Sequence, residues 1–244
     1  MSKESYVASH TTPGKGEQYD QFYNTDPWHR WLWAREQQVL TQLLREQFKG
    51  RPVDALDFAC GTGRITSALE PQVRSITGVD VSESMLEMAR RKLKKAELYH
   101  GNLLDGPVFP PRQFDLITAF RFFVNAEQPL RLAALKALEP YLAPNGILVF
   151  NNHQNLDSAY IQITKAYAKA KGFKFANTLS MRECEELVAT IGLEIVHVYP
   201  VAMFHLPRLH FPSAAYRLAD AVGGVAQFVA RHAECPIIVA RRAR

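Results

Sequence analysis

Cysteine is scarce in this chain of 244 residues, and the three present, Cys60, Cys184 and Cys235, lie far apart. With no CxxC pair among them, neither a zinc site nor a disulfide framework is indicated, and a reducing, cytoplasmic setting suits such usage. Long apolar runs are missing too. The longest near the end, "VGGVAQFVARHAECPIIVA", is cut by Arg231, His232 and Glu234, so no membrane span is expected. The opening "MSKESYVASH" lacks the apolar stretch of a secretory signal. No G-x-x-x-x-G-K-[ST] loop occurs, which argues against a nucleoside triphosphate cradled by that device. Internal repeats, low-complexity tracts and inter-domain linkers are likewise absent, and the chain reads as one domain over 1–244.

What is present is ordinary for a globular protein: 47% apolar residues, 22% charged and a formal charge of +5. Much of that basic excess sits in "RRKLKK" (Arg90 to Lys95) and "RRAR" (Arg241 to Arg244). A solvated helix end and a frayed terminus account for both runs; contact with nucleic acid or an acidic membrane is the alternative they leave.

Along the chain, the first 15 residues are expected to be disordered. Helix is predicted over "DPWHRWLWAREQQVLTQLLREQF", with Asp26 as N-cap, Pro27 at the first helical position and leucines at helical spacing. Strands are expected at "VDALDFA", "RSITGVD", "AELYHGN", "FDLITAF" and "ILVFNN", with helices between them and a turn at Pro144-Asn145-Gly146. Ser82 is placed to cap the helix after the second strand. Such alternation implies a Rossmann-like α/β fold, a parallel sheet with helices on both faces. Two further helices follow ("SAYIQITKAYAKAKG" and "SMRECEELVATIG"). The strands "LEIVHVYPVAMF" and "CPIIVARR" then suggest an antiparallel hairpin at one sheet edge, with the helix of the intervening linker over the mouth.

The loop in "LDFACGTGRI" links the first strand to a helix, at the carboxyl end of a parallel sheet where ligands bind. A dinucleotide fingerprint would want a third glycine where Thr66 stands, and Asp57 would repel a pyrophosphate. S-adenosylmethionine suits the loop better, because its ammonium and sulfonium carry positive charge that a nearby carboxylate attracts. Glycine N–H groups can meet its carboxylate. Asp80 ends the second strand 23 residues after Asp57, where an acid is the usual partner of ribose hydroxyls.

"LDFACGTGRIT", "ITGVDVSESMLEMARRK", "LYHGNLLD", "FDLITAF" and "YLAPNGILVF" resemble, in order, the motifs of class I S-adenosylmethionine-dependent methyltransferases. The resemblance covers about Val53 to Asn152. It implies a seven-stranded, mostly parallel sheet with a reversed terminal hairpin. It also implies that Asp57, Ala59, Cys60, Gly61 and Gly63 line the methionine end of the cofactor and that Asp80 and Val81 hold the ribose. By the same analogy Met85, Asn102 and Leu103 lie near the adenine, and Phe120 belongs to the cofactor-binding set. The chain departs from the family at three places. Ala59 replaces a usual glycine, tolerable if its φ stays negative. Asn102 stands where Asp is common, and its amide oxygen can still accept from the adenine amine. Asn125 occurs in "FRFFVNA" where many relatives have His.

A hydroxyl or ammonium acceptor needs a base, and His153, in "NNHQN" after the fifth strand, is the candidate. A structural or exposed role is its alternative, as for His205 and His210 in "FHLPRLHFP". Tyr19 and Tyr23 in "YDQFYN" either staple the N-terminal helix to the core or close over cofactor and acceptor, within a helical lid over 16–48. Arg121 could hold a carboxylate or phosphate, or merely pair with a surface acid. Phe122 suits an apolar acceptor, and Asn125 and His205 complete the expected acceptor-binding set. Inserts over 153–180 and 204–231 would cover a compact acceptor. The expected function is methyl transfer to oxygen or nitrogen of a small molecule, with no metal and no nucleic-acid partner. The alternatives are an RNA or protein methyltransferase and a non-catalytic cofactor-binding scaffold.

Overall fold

A computed structural model describes residues 17, 21, 25–173, 177–203 and 227–243. Helix α1 (Pro27–Phe48) begins as its sequence demands: the Asp26 side chain accepts from the His29 N–H, and proline occupies the first turn. There follow β1 (Asp54–Phe58), α2 (Arg64–Leu69), β2 (Ser75–Asp80), α3 (Glu83–Lys92), β3 (Glu97–His100), β4 (Phe114–Ala119) and α4 (Gln128–Leu138). After a short 3₁₀ turn come β5 (Leu142–Asn151), α5 (Ala159–Ala170), α6 (Met181–Ala189), β6 (Leu193–Tyr199), α7 (Gln227–Ala230) and β7 (Ile237–Arg242).

The strands form one sheet in the order β3-β2-β1-β4-β5-β7-β6. All neighbours are parallel except β7, which runs antiparallel to both β5 and β6. The order reverses between β1 and β4, so the carboxyl ends of those two strands bound the crevice. The predicted seven-stranded sheet with its reversed terminal pair is present.

Period-two alternation divides the interior into two cores. On β5, Ile147 and Val149 face one side while Leu148 and Phe150 face the other; Ile237 and Val239 of β7 alternate with Ile238 and Ala240 in the same way. One core packs under α1 and α2 through Leu40, Leu43 and Leu69, the other under α4 and α6 through Leu135, Leu138, Leu187 and Val188.

Four local expectations need correction. The Pro144-Asn145-Gly146 segment is not a free turn but lies inside β5, beside a register shift against β4. A bulge accommodates the missing proline N–H, and Gly146 is required because a Cβ there would meet the Phe114 carbonyl at 2.8 Å. Arg241 and Arg242 are not frayed: both belong to β7, with Arg241 donating to Gln47 Oε1. Ser82 is the N-cap of α3, yet its hydroxyl makes no capping bond and faces Ser84 instead. Strand β6 stops before Pro200, shorter than the sequence suggested. The expected disorder of residues 1–15 lies outside the described residues. So do most of "YDQFYN", including Tyr19 and Tyr23, and the greater part of the 204–231 insert.

Candidate cofactor and acceptor site

Strand β1 delivers Asp57 to the floor beneath the loop. Its carboxylate is buried and accepts from the hydroxyls of Thr66 (2.6 Å) and Thr118 (2.8 Å). Burial pushes its pKa up to about 6, against the lowering effect of those hydroxyls, and the charge of Asp80 adds to the rise. Asp80, at the end of β2, accepts from Gly61 N–H at 2.7 Å and Ser82 N–H at 2.8 Å. Two acids thus lie around a single loop, a field suited to a cationic ligand.

The loop itself is strained where a helix must start sharply from a strand. Gly61 and Gly63 stand at φ +53° and +76°, and Ala59 at +54°. The expected condition on Ala59, a negative φ, is therefore not met. An L-residue in that region costs about 1–2 kcal/mol, so the surrounding contacts must hold it there. Gly63 serves packing as well as conformation: a Cβ would lie 3.0 Å from the Ala89 Cβ of α3. Its N–H donates to the Cys60 carbonyl, and that of Gly61 to Asp80. The two amides expected to meet the cofactor carboxylate are thus engaged within the protein.

A cleft lies over the carboxyl ends of β1 and β2. Ala59, Asp80, Val81, Asn102, Leu103 and Phe122 line it, together with Phe58, Val79, Gly101, Leu104 and Leu130. One acid and one amide in a mostly apolar slot have the chemical character that a nucleoside calls for. Asn102 is held by its own turn, its Oδ1 accepting from Leu104 N–H and its Nδ2 donating to Asp105. Phe122, expected beside the acceptor, instead forms cleft wall, edge-on to Phe58 at 4.9 Å between ring centroids. Phe58, Leu104 and Leu130 escaped sequence reasoning because nothing local distinguishes them from core.

Of the residues expected at the cofactor, Asp57, Cys60, Gly61, Gly63, Met85 and Phe120 are not among those that line this cleft. Met85 is buried beneath Gly61, its Sδ 3.4 Å from where a Cβ would sit. Phe120 packs into the core under α1. Cys60 fills the space above Gly78, and burial pushes its thiol well above the ordinary range, so it is an inert packing group.

On the acceptor side, Arg121 follows β4 at φ +58°. It does not present a free cation. One guanidinium nitrogen donates to both carboxylate oxygens of Glu36 on α1 (3.1 and 3.2 Å), and Glu36 is only 1% exposed. Its backbone N–H donates to Asn151 Oδ1 at 2.6 Å, and its carbonyl accepts from Asn125 Nδ2. Asn125 is thereby a loop brace at the surface.

The "NNHQN" segment after β5 is stitched to the chain's last third. Asn152 Nδ2 donates to the Leu179 carbonyl, and Asn155 Nδ2 to the carbonyls of Arg231 and Ala233. Within this frame Asn151 Nδ2 and His153 Nδ1 are buried and have no hydrogen-bond partner among the described residues. Part of the His153 side chain keeps some exposure, but Nδ1 faces inward. Burial, with Arg121 and His29 adding to it, pushes His153 down to about 3, so the imidazole is neutral at physiological pH. It is a poor proton acceptor, which speaks against the base role. Asn151 was missed because its side chain became significant only through the pairing of β5 with the β4 loop. His205 and His210 lie outside the described residues.

Residues 55–146 match the model of a methyltransferase domain. Over that stretch the chain carries a methyltransferase domain. Among curated proteins, the chain is 34% identical over 114 residues to demethylmenaquinone methyltransferase of Staphylococcus aureus strain MRSA252, covering 44% of this chain and 46% of that one. It thus spans about half the length of the curated relatives it matches. Among solved structures it is similar to a Thermotoga maritima methyltransferase described as a possible histamine N-methyltransferase, with a TM-score of 0.64 at 18% identity, over 93% of this chain and 95% of that one. It is also similar to magnesium protoporphyrin IX methyltransferase of Synechocystis PCC 6803, solved with bound S-adenosylhomocysteine: TM-score 0.66, 12% identity, over 94% and 95% of the two chains. At those identities the structural likeness concerns the fold. The methyltransferase cofactor is S-adenosylmethionine, and the acid-bearing apolar cleft fits it. No helix among the described residues is long and apolar enough to cross a membrane, and no group of three potential metal ligands occurs among them.

Proposed function

We propose that the protein methylates an oxygen or nitrogen of a small-molecule acceptor, in a reducing, cytoplasmic setting. The observation carrying this reading is the pair of inward-facing polar atoms, Asn151 Nδ2 and His153 Nδ1, unpartnered among the described residues at the carboxyl end of β5, the strand next to β4. Buried polar groups are normally satisfied, and unsatisfied ones at the carboxyl edge of a parallel sheet, where ligands bind, call for a ligand. The names of the similar proteins, concerning a quinone, a porphyrin and a possible histamine acceptor, are of compact molecules.

When bound, S-adenosylmethionine supplies a methyl group already activated on sulfur. The chain's own residues have to align and shield. Asp80 accepts from the ribose hydroxyls, while Ala59 and Phe122 wall the cleft and exclude water. Asp57 keeps a negative charge beneath the loop at neutral pH. Asn151 Nδ2 donates to the acceptor's polar group and fixes its angle of approach, and neutral His153 forms the neighbouring hydrogen bond. An imidazole this weakly basic favours an acceptor that ionises readily by itself, such as a phenol.

Incubation with methyl-labelled S-adenosylmethionine and a panel of phenols, amines, RNA and proteins tests the reading. Label in a small molecule is the expected result, with Asn151→Ala lowering kcat more than it lowers cofactor affinity. Asp80→Ala should weaken S-adenosylhomocysteine binding by about 1–3 kcal/mol in calorimetry. Label appearing in a polymer, or cofactor binding without any transfer, would replace this proposal with one of the two alternatives.

A further inference from the structure

Helix α5 is amphipathic in the wrong sense. Its buried positions are Ile161 and Ala168, and its N-cap Ser158 accepts from Ile161 N–H. At helical spacing, Ala159, Ile163, Ala166, Tyr167 and Ala170 fall on the opposite side. All five are exposed, so the outward ridge is wholly apolar. Ile163 is 70% exposed and Tyr167 60%, and Phe173, just past the helix end, is 68% exposed. Of the five most exposed large apolar side chains among the described residues, these three fall within one short stretch. A solvent-facing helix ordinarily carries its charges there.

Charge surrounds this ridge with one sign. Between Asp157 and Glu183 the sequence has no acid, and it has Lys165, Lys169, Lys171, Lys174 and Arg182. Arg182 is paired with Glu186 on α6, and Lys165 lies near enough to Glu183 to lower that acid's pKa. Lys169 and Lys171 make no ion pair among the described residues and flank the ridge at its C-terminal end. Docking of two copies through this face would bring these lysines against their own equivalents, a repulsive arrangement. A surface that is apolar just below and negative on top matches both features at once.

We infer that the outward face of α5, through Ile163, Tyr167 and Phe173 with Lys169 and Lys171 beside them, docks the protein on anionic lipid bilayers. The apolar side chains enter the boundary between headgroups and acyl chains, with Tyr167 suited to that level by its hydroxyl, and the lysines stay among the phosphates. The contact is peripheral and reversible, and it is independent of methyl transfer.

Vesicle co-sedimentation decides it, comparing phosphatidylcholine alone with phosphatidylcholine containing about one third phosphatidylglycerol. Binding is expected to the anionic vesicles, falling with added salt, and to be far weaker on neutral ones. The double variant Ile163→Ser/Tyr167→Ser should lose on the order of tenfold in affinity, as should Lys169→Glu/Lys171→Glu. S-adenosylhomocysteine affinity and melting temperature serve as controls that the variants are folded. Absence of binding to anionic vesicles would overturn the inference, and so would equal binding by wild type and the Ile163/Tyr167 variant. A wild-type dimer in ultracentrifugation that the same variant dissolves would assign the face to a second copy instead.

Discussion

Asp57 holds its charge where water does not reach, supported by the hydroxyls of Thr66 and Thr118. Its folded pKa is about 6, against roughly 3.9 for an unperturbed aspartate. Between pH 4 and 6 the folded chain therefore keeps a proton that the unfolded chain has released. Stability falls as pH rises through that window, by about 3 kcal/mol in all, and stays lowered above it. Asp57→Asn removes this burden, since both threonine hydroxyls can also accept from an amide. The variant without cofactor should melt at or above wild type at pH 7.5 and lose that advantage near pH 4. It should also bind S-adenosylhomocysteine more weakly, on the order of tenfold, because the ligand's ammonium loses a nearby charge. A lower melting temperature at pH 7.5, or unchanged affinity, would show that Asp57 does not carry a strained charge facing the cofactor.

At the scale of elements, α1 is fastened to the carboxyl end of β4 by Glu36 and Arg121, both withdrawn from solvent. Removing Glu36 takes the carboxylate away from a largely buried guanidinium, so Glu36→Ala should cost about 3–5 kcal/mol in urea unfolding. The double variant Glu36→Met/Arg121→Met should regain most of that loss, because a well-packed apolar pair is often as stable as the ions it replaces. Equal effects of single and double variants would reject the coupling. This bond was beyond sequence reasoning: it joins residues 85 positions apart, and an acid on a helix reads locally as a solvated one. By contrast α1 itself, its Asp26 cap and the alternating strands were legible, because each depends on neighbours a few residues away. The Ser180 capping box of α6 is equally local. Where local signals failed, at Pro144 to Gly146 and at Arg241 and Arg242, pairing with a neighbouring strand had overridden turn or terminal preferences. The glycine loop with its two acids was readable for the same reason, since they follow one another within β1, the loop and β2. The surroundings of Arg121, Asn151 and His153 draw on α1, β4, β5 and the last third of the chain, and only the folded chain unites them.

For the whole molecule, a ligand that binds only the folded state stabilises it by mass action. S-adenosylhomocysteine at about one hundred times its Kd contributes about 2.7 kcal/mol, which for a chain of this size raises Tm by roughly 5–10 °C. Scanning fluorimetry checks this directly, and the absence of any shift would remove the cleft over β1 and β2 from consideration as a cofactor site.

The placement of β7 between β5 and β6 sets a condition on how the protein is made. As the nascent chain leaves the ribosome, β5 emerges with one flank unoccupied, and β6 follows with no strand beside it. Only residues 237–242 can fill the gap between them. Until they are synthesised, two open strand flanks wait for a partner, and strangers with free backbone groups compete for them. A stalled translation product lacking those residues should therefore clump or be degraded, however well its first five strands have assembled.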